Sequence, residues 1–231
     1  DWYRADAAYR RLVGSMRKAG PGFRQAARAL ATKADDAYGK FLVDLADRWQ
    51  LHLLDGGAYP PAGVPSQANF FREHVEKAFP RAEAGKRVGV VVSDAMRYEV
   101  GRDLAATLSR GDVATGRARA KATCGAMTCM LPSYTQLGMA ALLPAGTMEV
   151  DPATANVTKG GEPTDGIANR QKIVEAAVPG AVLVQASTVL EGGLPDVAVA
   201  PLVVVYHNAI DKRGDARDTE GEVFAACEDA I

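Results

Sequence analysis

Apolar positions in YGKFLVDLADRWQLHLL recur at helical steps, with Phe41, Leu42, Leu45, Trp49, Leu53 and Leu54 separated by three or four residues. This spacing predicts a helical region over residues 1–55. DGGAYPPAGVP at 55–65 then interrupts the pattern with Gly and Pro. A short helix is expected over about 67–78, closed by Pro80. The pattern changes at Lys86. Val88 to Val92 form a continuous β-branched run, the kind that fills a strand buried on both faces of a parallel sheet. Val100, Leu104 and Leu108 follow at helical spacing. AVLVQAS at 181–187 and PLVVVYHNAID at 201–211 read as two more strands, and IANRQKIVEAAV at 167–178 reads as a helix between elements. Strands alternating with helices predict an α/β fold with a mostly parallel sheet flanked by helices, preceded by a helical region. The expected division is 1–85 for the helical region and 86–231 for the α/β core.

Composition narrows the classes. The chain has 231 residues, of which 48% are hydrophobic and 24% charged, with a formal net charge of -1. This balance supports a large core, and the global charge gives no sign of a nucleic-acid coat or a membrane-surface binder. Cys124, Cys129 and Cys227 form no CxxC pair, which argues against both a disulfide framework and a structural zinc site. The opening DWYRADAAYR is charged, unlike a signal peptide. Apolar runs such as LVVVY at 202–206 are far too short to cross a bilayer. A reducing, cytoplasmic location is expected. The first residue is not Met, and TEGEVFAACEDAI reads as a helix without a closing glycine, so a fragment of a longer protein is expected.

Candidate chemistry gathers at strand ends, where open parallel sheets bind ligands. Asp94 follows the first strand. His207, Asp211 and Asp215 follow the run PLVVV. Carboxylates brought together at such ends repel each other unless a cation lies between them, so a metal site is the functional reading. The structural alternatives are a helix N-cap for Asp94 and a polar turn for D-K-R-G-D. In CMLPSYTQLGMAALLP at 129–144, Ser133 and Gln136 fit the capping box S-x-x-Q ahead of a short helix over 136–143. Thr135 then falls in the first helical turn, a location suited to a nucleophile attacking a phosphate. Thr128 and Ser133 compete with it. His52 and His74 read as surface or packing histidines. Arg110, Arg117, Arg119 and Lys121 form a basic stretch that reads first as a solvated loop and second as a DNA contact. P-loop, GxGxxG, G-x-S-x-G and HExxH motifs are all absent.

VVVSDAMRYEV at 90–100, LPSYTQLGMAALLP at 131–144 and VVVYHNAIDKRGDARDTE at 203–220 together resemble the PglZ family of the alkaline phosphatase superfamily, found in bacterial BREX phage-exclusion systems. The resemblance covers roughly 86–231. It implies an alkaline-phosphatase-like core in which divalent ions, most often zinc, flank a Thr or Ser nucleophile and a covalent intermediate forms. It places Thr135 as the nucleophile, with Ser133 as the alternative, and Asp94, Asp211 and Asp215 as metal ligands. Asp215 stands where relatives such as cofactor-independent phosphoglycerate mutase carry His, which shifts the preference toward manganese or magnesium. The superfamily's later Asp-His pair and final His have no counterpart in the chain. An incomplete core, inactive or weakly active alone, is therefore expected. The implied activity is that of a metal-dependent phosphodiesterase, or nuclease, on a phosphoester or nucleic-acid substrate. The alternatives are a catalytically degenerate scaffold binding other BREX components, such as the DNA methyltransferase and the ATPase, and a small-molecule phosphatase or phosphomutase.

Overall fold

The computed structural model describes residues 2–81, 87–111, 116, 119–192, 199–216 and 218–231. Arg117 of the basic stretch lies outside the described residues. Chain contacts group the molecule into two compact units that interleave in sequence. One takes Asp1–Ala62, Ala95–Gly125 and Ala209–Ile231; the other takes Gly63–Asp94 and Ala126–Asn208.

The first unit is helical. Its helices are α1 (Tyr3–Arg17) and α2 (Arg24–Leu54), together with α3 (Tyr98–Arg110), which follows β1 (Val88–Ser93) in the chain. Two short helices near the end of the chain complete it, and are numbered with the second unit below. The 31-residue α2 buries none of its residues, and Leu42, Leu45 and Trp49 are exposed. The apolar spacing thus foretells the helix but not a covered face. His52 and His74 are exposed, as expected of surface histidines.

The second unit holds a parallel three-stranded sheet in the order β1, β6 (Leu202–His207), β5 (Val182–Gln185). Between β1 and β5 the chain forms α4 (Thr135–Ala141), β2 (Met148–Val150), β3 (Val157–Lys159), β4 (Glu162–Pro163) and α5 (Gly166–Ala177). Next, α6 (Ala186–Leu190) connects toward β6. After β6 the chain re-enters the helical unit as α7 (Ala209–Asp215) and α8 (Val223–Asp229). One face of the sheet carries Leu202, Val204, Tyr206 and Leu183, packed against Val174 of α5 and against Phe71, Val75 and Leu143. Val203 and Val184 cluster with Ala200. The β-branched run at 88–92 forms a strand, as its composition demands, but an edge strand: Gly89 and Val91 are exposed, Val91 at 69%. The expectation of burial on both faces fits β6 instead, which is paired on both sides.

Three local expectations are corrected. The strand read at 201–211 stops at His207. The D-K-R-G-D segment is the body of α7 rather than a turn, because Ile210 is buried against Val100, Ala226 and Cys227 and that packing carries the helix onward. Residues 67–81 form short 3-10 and π turns rather than one α-helix. The chain also builds a small antiparallel sheet, β2-β3-β4, that the periodicity does not announce. Its β3–β4 turn is Gly160–Gly161, both with positive φ, the geometry a two-residue hairpin requires. Among the described residues no helix is long and apolar enough to cross a membrane.

Candidate active site

The three parallel strands of the sheet present their carboxyl ends along one edge, at Ser93, His207 and Gln185. Ser93 pairs directly with His207 in the β1–β6 register, and its Oγ lies 2.8 Å from His207 Nδ1. One residue on, the Asp94 amide donates to the His207 carbonyl at 2.9 Å, extending the ladder past the strand end. Ala95 then adopts a left-handed conformation, φ 60°, and turns the chain sharply away. Asp94 is therefore fixed at the sheet edge, half-buried beside His207. It is not an N-cap: that position in α3 belongs to Arg97.

Thr135 is the first residue of α4, and its N-cap is Tyr134, which makes no side-chain capping bond. The Ser133–Gln136 capping box is thus not formed. Both Ser133 and Thr135 are exposed. Thr128, the third hydroxyl, donates to the Pro65 carbonyl at 3.2 Å and belongs to the bridge between residues 66 and 128. Because α4 has seven residues, about two turns, dipole support at Thr135 is small.

Two side chains that the sequence left unremarked hold α4 in place. Gln67 Nε2 donates to the Gly138 carbonyl at 3.1 Å, and Gln67 Oε1 accepts from the Met130 amide at 3.3 Å. Gly138 leaves little room for more: a β-carbon there would stand 3.4 Å from Gln67 Nε2. At the far end of the helix, Lys159 Nζ donates to Ala140 and Leu143 carbonyls at 3.0 and 2.8 Å. Ala140 lies in the last turn of α4, where its carbonyl also accepts from the Leu143 amide at 3.2 Å, and Leu143 follows the helix. Lys159 is only 5% exposed, and burial pulls its pKa from 10.5 down to about 8.

Asp94, His207, Ser133 and Thr135 all belong to the sheet unit, whereas Asp211 and Asp215 sit on α7 of the helical unit, Asp211 half-buried and Asp215 exposed. Among the described residues, no three His, Cys, Asp or Glu side chains gather closely enough to hold a metal ion. Asp94 and His207 are donors of the kind divalent cations take, yet the described residues do not by themselves complete such a site.

The sequence pattern described as the BREX system PglZ alkaline phosphatase-like domain matches residues 70–231. The chain belongs to the PglZ family. The match starts inside the region expected to be a separate helical segment and takes in Phe71 and Val75, which pack into the sheet core. The PglZ-family chain is 34% identical over 200 residues to an alkaline phosphatase-like protein BrxZ of Escherichia coli O9:H4 (strain HS), covering 83% of this chain and 22% of that protein. It is 32% identical over 240 residues to an alkaline phosphatase-like protein PglZ of Bacillus cereus (strain H3081.97), covering all of this chain and 26% of that protein. The PglZ-family chain thus spans about a quarter of the length of these curated relatives. No solved structure matches it.

Proposed function

We propose that this PglZ-family chain contributes the nucleophile and part of the cation-binding set of a metal-dependent phosphoester hydrolase acting on phosphodiesters, including nucleic acid, in BREX phage defence. The observation that carries the reading is the sheet edge, where Asp94 is held against His207 at adjoining strand ends. The Thr135 hydroxyl, exposed at the start of α4, is the nucleophile, with Ser133 two residues away as the alternative. Its Oγ1 would form a bond to phosphorus and pass its proton to solvent, the bond to the leaving oxygen would break with that oxygen taking the electron pair and a solvent proton, and water would then attack the phosphothreonine, freeing the phosphoryl product and returning a proton to Oγ1. Gln67 bonds the middle of α4 at Gly138 and Lys159 bonds the chain at its C-terminal end, which supports the position of the helix that carries the hydroxyl. Asp94, Asp211 and Asp215 are the carboxylate ligands offered to a divalent cation, zinc or the harder manganese or magnesium, with further ligands coming from outside the described residues. When bound, such an ion would supply positive charge to offset that on the phosphoryl oxygens.

The test uses the intact protein, assayed for bis-p-nitrophenyl phosphate hydrolysis with zinc, manganese or magnesium. Thr135→Ala abolishes turnover without lowering the melting temperature, and Ser133→Ala does not. Equal loss in both variants, or none in either, would overturn the assignment. Elemental analysis that finds no bound metal in an active preparation would remove the cation from the reading. An inactive protein without metal would favour the scaffold role toward other BREX proteins.

A further inference from the structure

The net charge of -1 conceals a strong asymmetry. Residues 1–33 carry eight Lys and Arg against two acids, a net of +6, while the remaining residues carry nineteen against twenty-six, a net of -7. The structure folds this basic stretch into α1 and the first turns of α2, where Arg17, Lys18, Arg24 and Arg28 are all exposed. A cleft of about 400 Å³ opens between the two helices, lined by Arg17, Arg24 and Arg28, by Ala27 and Ala31, and by one acid, Asp35, whose carboxylate accepts from the Tyr9 hydroxyl at 2.9 Å.

The three arginines are not used up by the fold. Arg17 is held in place by the Gly221 carbonyl and by the Phe224 ring, 5.6 Å from its guanidinium carbon, and neither contact neutralises its charge. Arg24 and Arg28 have no acidic partner among the described residues. Lying four apart on α2, they are spaced by about 6 Å along the helix axis. Two guanidinium groups at that spacing can engage neighbouring phosphates of one nucleic-acid strand together. The predominance of arginine points the same way, since its planar fork matches two phosphate oxygens at once.

We propose that the α1–α2 cleft binds the phosphate backbone of nucleic acid, independently of base sequence, with Arg17, Arg24 and Arg28 as the contacting side chains. This site is separate from the hydroxyl and carboxylates of the proposed phosphoester chemistry, and it stands whether or not that chemistry is correct. An acidic protein surface is the competing occupant, and repeated phosphates at fixed spacing fit the paired arginines better than a carboxylate-bearing surface does.

The test is fluorescence polarisation of the intact protein with a labelled 20-base-pair DNA duplex of arbitrary sequence, titrated between 50 and 200 mM NaCl. The double variant Arg24→Gln/Arg28→Gln should bind about ten-fold more weakly, and the slope of log K against log salt should shrink by roughly 2, one per lost phosphate contact. Arg48→Gln, on the same helix but paired with Asp44, is the control and should leave both unchanged. Thr135→Ala should bind as tightly as the parent, which separates this site from the hydrolytic reading. An unchanged affinity and slope in the double variant would overturn the proposal, as would equal displacement of the duplex by polyglutamate. Both substituted arginines are exposed, so matching melting curves verify that folding is not the cause.

Discussion

Ser93 Oγ lies 2.8 Å from Nδ1 of His207, so the last rung of the β1–β6 pairing is tied through side chains as well as through the backbone. The bond fixes one ring nitrogen of His207 and thereby the direction in which the other points. Ser93→Ala removes it at a half-buried site. The expected cost is about 0.5–1.5 kcal/mol, read as a lower urea midpoint. An unchanged midpoint would mean that the backbone ladder alone sets the sheet edge.

Leu202 opens the central strand and is 0% exposed. Leu202→Ala leaves a cavity between β6 and the packing helices, and should cost about 2–5 kcal/mol. Val91→Thr, on the open face of β1, should change stability by less than about 0.5 kcal/mol. Parallel chemical-denaturation curves of the two variants separate the edge strand from the central one.

Lys159 gives the sheet unit a pH signature. Its folded pKa, about 8, lies below the ordinary 10.5, so between these values the unfolded chain holds more protons than the folded one. Stability therefore rises as pH climbs from about 8 toward 10.5, by at most about 3 kcal/mol. The neutral amine still has two N–H groups for the Ala140 and Leu143 carbonyls, so losing the charge does not cost the bonds. Tyr206, whose pKa is raised by burial, acts in the opposite direction above pH 10, because the fold favours its neutral form. The clean readout is the difference between the parent and Lys159→Met, which should lose the rise between pH 8 and 10. A variant with the same slope as the parent would show that the titrating group lies elsewhere.

Arg10 is 1% exposed and faces three carboxylates: Asp103 at 2.5 Å, Glu228, and Glu99 at 3.9 Å, itself 2% exposed. Arg10→Met leaves Glu99 buried with less compensation from cations, although Arg97 remains 3.3 Å away. The expected loss is about 3–5 kcal/mol, against little for Arg11→Met, whose side chain is largely exposed. Thermal melts of the two variants, followed by far-UV circular dichroism, give the comparison.

The sheet and its flanking helices were legible because their signals are local. The β-branched runs at 88–92 and 202–206, the helical spacing of Val100, Leu104 and Leu108, and the helical pattern in 167–178 each settle one element without reference to the rest. What escaped was decided by partners distant in sequence. Whether Val91 is covered depends on what packs against an edge, not on Val91. The segment after His207 became a helix because Ile210 found Val100 and Cys227. Lys159 went unremarked, because its burial depends on carbonyls 16 and 19 residues earlier. Of the candidate site, the proximity of Asp94 and His207 followed from the strand-end rule. The capping box at Ser133 did not form, because the chain enters α4 one residue later.

The interleaving of the two units has a practical consequence. The chain passes from one to the other four times, after Ala62, Asp94, Gly125 and Asn208. No uninterrupted stretch of the gene encodes either body whole. Trimming from one terminus, or expressing the sheet by itself, would strip a neighbour of some of its helices, so dissection of this protein is better served by point substitutions than by deletions.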